Sequence, residues 1–291
     1  MSFEIITDSC SNLPLEIIEK YDIKIASLNC IVEGVSKKCF SHDGKYNINL
    51  KELYEKMRNK ADITTSLASP EEFEKLFEKS AKEEKDILCI TIASTLSGTY
   101  QSAKIAKDIV SLKYPNVNIH IVDTLNASLG EGILCLEACL KRENGEDIAS
   151  VKEYLEKEKY NMCSWFTFDE LYYLKKGGRV SSASAFLGTM LGIKPVMNVT
   201  KDGIIIPNAK VRGRKASLET LINGIGEHID KNKNQIIGIT HGDCNEVANE
   251  IKNELQKRYE IGEVIIEYMD SVIGTHGGPG AVAVFFKGIK E

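Results

Sequence analysis

The stretch from Asp86 to Val110 constrains the fold of this chain most strongly. It begins with a short apolar run, residues 87–92, of the kind that forms a strand buried on both faces of a parallel sheet. A polar loop, residues 93–99, comes next, and apolar residues then recur at helical spacing from Tyr100 onward. A strand, a loop and a helix in this order predict an α/β unit.

The loop at residues 93–99 is rich in hydroxyl groups and is expected to bind an anion. The free N–H groups at the start of a helix and the helix dipole both favour a negative charge there. The candidate ligands in this loop are Ser94, Ser97, Gly98 and Thr99. A simpler interpretation is that Ser97 only caps the helix, which is a common role of serine.

The order of predicted strands and helices indicates an α/β protein with two domains. Strands and helices alternate up to about residue 155, which predicts a doubly wound, Rossmann-like parallel sheet in an N-terminal domain, residues 1–160. Within it we expect one continuous second strand at residues 23–32 and a small polar excursion near residues 33–46. Residues 161–291 predict a C-terminal α/β layered domain with a mixed or antiparallel sheet, since Lys201-Asp202-Gly203 is a hairpin signal.

Composition and missing motifs narrow the function classes. The net charge of −5 argues against nucleic acid, and no apolar run is long enough to span a membrane. The eight cysteines lack paired spacings and the N-terminus has no signal peptide pattern, so we expect reduced thiols, no metal and a cytoplasmic location. Sequence patterns for nucleotide loops, a serine nucleophile elbow and zinc sites are also missing, so no cofactor is expected.

Two residues outside the central stretch are candidates for the same site. His276 stands among four glycines and a proline in a predicted loop, residues 274–280, and loops on rigid scaffolds often carry function. Arg179 follows Gly177-Gly178 and is either an anion clamp or an ordinary surface charge.

Six segments, taken together and in order, resemble the motifs of the DegV family over nearly the whole chain. They read ITDSCSNLP, TTSLASPEEF, TLSGTYQSA, VDTLNASLG, LYYLKKGGRVSS and IGTHGGPGAV. The resemblance implies a two-domain protein that binds a long-chain fatty acid between its domains. It also implies a role as the acyl-carrier subunit (FakB) of a fatty acid kinase. In that system a separate ATP-dependent subunit phosphorylates the bound carboxyl group to an acyl phosphate for phospholipid synthesis, so this chain is not expected to be an enzyme itself.

Matching the motifs residue by residue implies that Thr65, Ser97 and His276 hold the carboxylate, with Arg179 nearby. The chain departs from the family pattern at two places. Leu67-Ala68 replaces the usual Gln-Pro, and Cys10 replaces a threonine. The first departure is expected to reshape the carboxylate end of the pocket.

The acyl chain and the partner each have a candidate surface. An apolar helical stripe is expected to contact the acyl chain, although an ordinary core is the alternative; it comprises Phe186, Leu187, Met190, Leu191 and Ile193. A basic cluster, Arg212, Arg214 and Lys215, is either a docking surface for the kinase or a solvated face. Transient contact with a membrane is also expected of such a carrier.

The residues alone also allow a second class of function, an enzyme. Ser97 and His276 would also suit a small acyl or phosphoryl hydrolase. A serine nucleophile needs a histidine base, which a third group holds in the right tautomer. Asp8 and Asp123, at the ends of predicted strands, are the candidates for that third group.

Overall fold

The structure is a computed structural model that describes residues 3–41, 44–179, 192–231 and 234–290. The strands are β1 (Glu4–Asp8), β2 (Lys24–Ala26), β3 (Asn29–Val32), β4 (Val35–Lys38), β5 (Ile63–Ser66), β6 (Ile87–Thr91), β7 (Ile119–Asp123), β8 (Met162–Thr167), β9 (Ile193–Val199), β10 (Ile205–Arg212), β11 (Ile237–His241), β12 (Val264–Tyr268) and β13 (Val282–Lys287). The α-helices are α1 (Leu15–Lys20), α2 (Leu50–Arg58), α3 (Pro70–Lys82), α4 (Thr99–Lys113), α5 (Leu129–Glu143), α6 (Ile148–Glu158), α7 (Leu171–Gly177), α8 (Arg214–His228), α9 (Asn245–Arg258) and α10 (Ser271–Gly277). Among the described helices, none combines the length and the hydrophobicity that crossing a bilayer requires.

The N-terminal half of the chain, up to residue 160, contains the predicted parallel sheet. Its strand order is β2-β1-β6-β7, and each neighbouring pair is parallel. All five residues of β6 are buried, because helices cover both faces of the sheet. Leu88 and Ile90 pack with the core around α5, whereas Ile87 and Cys89 pack with the core around α3 and α4. The predicted doubly wound α/β architecture is confirmed.

The predicted single strand at residues 23–32 is wrong, because the chain bends sharply between β2 and β3. Two hydroxyl groups hold the bend: Ser9 accepts a hydrogen bond from the N–H of Leu28, and Ser27 accepts one from the N–H of Phe40. β3 therefore leaves the parallel sheet and pairs with β4 and β5 in a small antiparallel sheet. The polar excursion near residues 33–46 includes β4, and Thr65 lies on β5 opposite Cys30.

The C-terminal half contains a mixed sheet with the strand order β10-β9-β8-β13-β11-β12. β11 and β12 are parallel, and the other pairs are antiparallel, as the hairpin signal predicted. Side chains alternate between the two faces along each strand. Trp165 packs into a core with α8 and α9, and its neighbour Phe166 points to the opposite face, toward the core that includes α5.

Candidate functional site

A cavity of about 340 Å³ collects residues from both large sheets. The parallel sheet contributes residues just beyond the carboxyl ends of its strands, such as Leu28, Ile92 and Ser128. This is where open α/β sheets generally bind ligands. The mixed sheet, with Phe168 just beyond β8, contributes to the apolar wall through Phe166, Phe168, Val199, Ile205, Ala283 and Phe285.

The residues expected to hold an anion gather in this cavity. Thr65, Ser97, Gly98, Arg179 and His276 all line it, although they come from distant parts of the chain. The hydroxyl oxygen of Thr65 lies 2.9 Å from Nε2 of His276. The Ser97 hydroxyl is hydrogen-bonded to the Thr99 hydroxyl at 2.8 Å. An otherwise apolar cavity with a few converging polar groups is the usual form of a small-molecule site.

His276 does not stand in a loop, as the glycine-rich sequence suggested, but in the last turn of α10. The carboxylate of Asp270 caps this helix and accepts hydrogen bonds from the N–H groups of Val272 and Ile273. A side chain at position 274 would overlap the Tyr54 hydroxyl, so glycine is required there. A cap and a close approach of a neighbouring residue therefore explain a segment whose composition resembles a loop.

The double glycine before Arg179 makes room for the histidine. A Cβ at residue 177 would overlap Nδ1 of His276, so the ring occupies space that only glycine leaves open. Gly178 ends α7 in the left-handed conformation, with φ of 69°. The Arg179 guanidinium then donates hydrogen bonds to the carbonyl oxygens of Gly177 (2.6 Å) and Leu96 (3.4 Å), which holds it at the cavity.

The imidazole of His276 is neutral at physiological pH. Burial and, to a lesser extent, the nearby positive charge of Arg179 together lower its pKa to about 4. Nδ1 of this ring is buried and has no hydrogen-bond partner within the described residues. The only bond of the ring to a neighbouring side chain is thus the one to Thr65, among the contacts described.

Neither aspartate that could orient His276 for catalysis does so. Asp8 accepts hydrogen bonds from the N–H groups of Cys10 and Ile92. Asp123 accepts from the N–H groups of Ser94 and Leu125.

The serine of the hydrolase hypothesis is not placed against the histidine either. The Ser97 hydroxyl pairs with Thr99, and His276 pairs with Thr65. A serine nucleophile requires a bonded histidine base whose other nitrogen is held by a third group. The described geometry does not provide this arrangement.

Not every residue of the polar loop reaches the cavity. Ser94 is exposed, and its N–H is directed to Asp123. Thr99 is buried, is not among the cavity residues, and is bonded to the Ser97 hydroxyl through both its own hydroxyl and its N–H. Leu67, one of the two departures from the family pattern, lies 41% exposed at the cavity, and its methyl group packs against Gly98.

Only one residue of the apolar stripe predicted to contact the acyl chain falls within the described part of the chain. Four residues of the predicted stripe, Phe186, Leu187, Met190 and Leu191, lie outside the described residues. The fifth, Ile193, begins β9 opposite Arg212 and is not among the cavity residues. Along β8, by contrast, Ser164 and Phe166 line the cavity, and Phe168 continues the same alternation. The alternation of side chains along SWFTF is visible in the sequence and indicates that every second residue of this strand faces the same side. The predicted contact with the acyl chain was instead assigned to the helical stripe.

The basic cluster is not uniform. Arg212 and Lys215 are exposed. Arg214 donates a hydrogen bond to the carbonyl oxygen of Gly280 (2.6 Å), and its Nε lies 3.6 Å from a carboxylate oxygen of Asp169. Arg214 therefore braces the turn that follows α10, and only Arg212 and Lys215 retain the character of a docking surface.

The cysteines and acidic side chains do not form a metal centre in the described part of the chain. All eight cysteines are free thiols, and seven of them are buried. The described residues include no group of histidine, cysteine and carboxylate side chains arranged to hold a metal ion.

Comparison with known proteins gives consistent matches along the chain. A family model described as "Uncharacterised protein, DegV family" matches residues 2–288. A DegV domain-containing protein of Clostridium perfringens is 35% identical over 286 residues, which cover 98% of this chain and 97% of the relative.

Two solved structures resemble the fold closely. A DegV family protein of Thermus thermophilus, described for its fatty acid binding, has a TM-score of 0.88 at 27% identity, covering 99% of this chain and 100% of that one. A stearic acid-binding protein of Eubacterium ventriosum has a TM-score of 0.87 at 26% identity, covering 98% of both chains.

Proposed function

This chain belongs to the DegV family, and from that premise we propose that it is a cytoplasmic carrier of one long-chain fatty acid. The acid lies in the cavity between two domains, residues 1–160 and 161–291. The observation that carries the proposal is the make-up of the cavity wall, which is largely apolar but includes Thr65, Ser97 and His276, with the Thr65 hydroxyl 2.9 Å from the imidazole.

Thr65 and Ser97 are the proposed donors to the carboxylate. If His276 carries its proton on Nε2, it donates to the Thr65 oxygen, which leaves the threonine proton for the ligand. The Thr99 hydroxyl supports Ser97 in the same way. Each donor is thereby backed by a second one, and Arg179 adds a positive charge near the anion. These contacts offset the cost of removing a carboxylate from water.

The acyl chain supplies most of the binding free energy. Each buried methylene contributes roughly 0.8 kcal/mol, so about a dozen contribute about 10 kcal/mol before the costs of binding are subtracted. The phenyl rings of Phe166 and Phe285 are among the apolar groups of the cavity wall that make these contacts. The polar groups then mainly orient the acid.

We propose further that the carrier presents the carboxyl group to a separate ATP-dependent kinase subunit for acyl phosphate formation. Ser97 and His276 lie near exposed groups at the cavity, including Leu67 and Arg179. Arg212 and Lys215 are the proposed docking residues, and transient contact with a membrane would allow loading.

Native mass spectrometry of the protein purified from cells tests the proposed function. A bound mass that matches a fatty acid is expected, together with acyl phosphate formation only when an ATP-binding partner is added. A fluorophosphonate probe should leave Ser97 unlabelled. Ligand-free protein that turns over esters, with Ser97 labelled stoichiometrically, would instead establish the hydrolase.

A further inference from the structure

We propose that Asn12 is a positioning residue for the carboxylate site: it locks α10, and with it His276, to the N-terminal half of the chain. The inference rests on the proposed function, because it concerns how the two sides of the fatty acid site stay in register. It assigns a role to the segment DSCSNLP, whose side chains do not line the cavity.

The Asn12 side chain makes three hydrogen bonds to two distant segments, and two of these bonds are buried. Its Nδ2 donates to the carbonyl oxygen of Tyr268 at 2.7 Å. Its Oδ1 accepts from the N–H of Asp270 at 2.8 Å and from the Ser128 hydroxyl at 3.2 Å. One amide group is thus hydrogen-bonded to the backbone on both sides of Met269, at Tyr268 and at Asp270.

The segment that Asn12 grips leads directly into the site. Tyr268 is the last residue of β12, and Asp270 is the capping residue of α10. Met269 and Ser128 both line the cavity, and His276 lies in the last turn of α10. A shift of this junction would therefore move the imidazole relative to the cavity.

The carboxylate site is sensitive to such a shift because the two halves of the chain share it. Thr65 and Ser97 come from the N-terminal half, and His276 comes from the C-terminal half. The 2.9 Å bond between Thr65 and His276 closes only if both halves are in register. A hydrogen bond weakens steeply once its geometry is lost, so a small displacement costs affinity for the anion.

Asparagine suits this position for two physical reasons. Residue 12 has φ of 57°, in the left-handed region that asparagine tolerates better than most residues. The position also needs a donor and an acceptor on one planar group, which aspartate does not offer when it is ionised. Asn12 is 5% exposed, so water does not replace the lost bonds readily.

The variant Asn12→Gly tests this role cleanly, because glycine keeps the left-handed backbone and removes only the amide. Affinities for stearic acid and for octadecanol are measured by competition against a fluorescent fatty acid. The two ligands share the same chain and differ in the carboxylate. We expect stearic acid to bind about tenfold more weakly to the variant, while octadecanol binding changes by less than about twofold.

Gln235→Ala is the matched control. Gln235 is also buried, at 6% exposed, and its side chain bonds the backbone of Asp230 and Lys287, away from the cavity. It should lose stability without changing the ratio of the two affinities. An equal loss of both ligands in Asn12→Gly, or no loss, overturns the inference. Wild-type protein that fails to bind stearic acid contradicts the proposed function instead.

A measurement on the wild-type chain keeps the inference testable if Asn12→Gly does not fold. Hydrogen exchange of the Asp270 amide, which donates to Asn12, is followed with each ligand bound. If the carboxylate and this junction are coupled, stearic acid slows the exchange more than octadecanol does, since coupling between two sites is reciprocal. Equal protection by the two ligands contradicts a positioning role.

Discussion

Nε2 of His276 lies 2.9 Å from the Thr65 hydroxyl, although 211 positions separate the two residues in the chain. Thr65 lies on an outer strand of the small antiparallel sheet, and His276 lies at the end of α10. Their contact joins the two halves of the chain at the polar part of the cavity.

The double variant Ser97→Ala/His276→Ala should lose most of its affinity for fatty acid. Ser97→Ala removes a hydrogen bond to the carboxylate, which contributes about 1.5–3 kcal/mol, and His276→Ala removes the group that holds the Thr65 hydroxyl, so binding weakens by at least about tenfold. Ser94→Ala is the control, because Ser94 lies in the same loop but outside the cavity. Unchanged titration curves in a double variant with a native circular dichroism spectrum would rule out this site.

Gly177→Ala should displace the imidazole of His276, because the added methyl group overlaps Nδ1. We expect a loss of about 1–3 kcal/mol in the free energy of unfolding, measured with urea, and weaker fatty acid binding. Adding His276→Ala removes the overlap, so the double variant should recover much of the stability. If the two losses of stability simply add, the ring and the glycine do not compete for space.

Asp270→Asn should reveal the pH dependence of the cap on α10. Burial raises the pKa of Asp270 from 3.8 to about 7 in the folded protein. The folded state therefore holds this proton more tightly than the unfolded state. The resulting stabilisation is full below about pH 4 and is lost as the pH rises through about 7.

The comparison of Asp270→Asn with the wild type isolates this effect from His276, whose lowered pKa of about 4 acts in the opposite direction. Between about pH 4 and pH 8, the stability of the wild type relative to the variant should fall by up to about 4 kcal/mol. Urea unfolding at several pH values measures the difference. A difference that does not depend on pH would contradict the assignment.

Arg212→Ala and Lys215→Ala should leave fatty acid affinity unchanged but slow acyl phosphate formation by the kinase partner, most clearly at low salt. Both side chains are exposed and lie outside the cavity wall. Arg214 is left out, because its loss would free the turn at Gly280. Faster release of fatty acid from either variant would show that these residues serve the ligand rather than the partner.

The parallel sheet was predictable from local sequence patterns. The five residues of β6 are all buried and a helix follows them. This local pattern alone indicates a strand in a sheet that is covered on both faces. The end of β2 was not predictable in the same way. It depends on the hydroxyl groups of Ser9 and Ser27, which accept hydrogen bonds only after distant segments have come together.

The residue types of the site were recognisable, but their geometry was not. The hydroxyl loop, the double glycine and His276 each stand out in the sequence. The pairing of His276 with Thr65, and the space that Gly177 leaves for the ring, are relations between distant segments that no local pattern encodes. The helical spacing of residues 186–193 likewise gave no information about β8, whose alternating side chains line the cavity.

A crystal structure of the protein with stearic acid would locate the carboxylate. We expect its oxygens to lie within about 3.2 Å of the hydroxyl oxygens of Thr65 and Ser97. The acyl chain should then extend between Phe166 and Phe285. A carboxylate at the opposite end of the cavity, or an acid bound elsewhere on the protein, would contradict it.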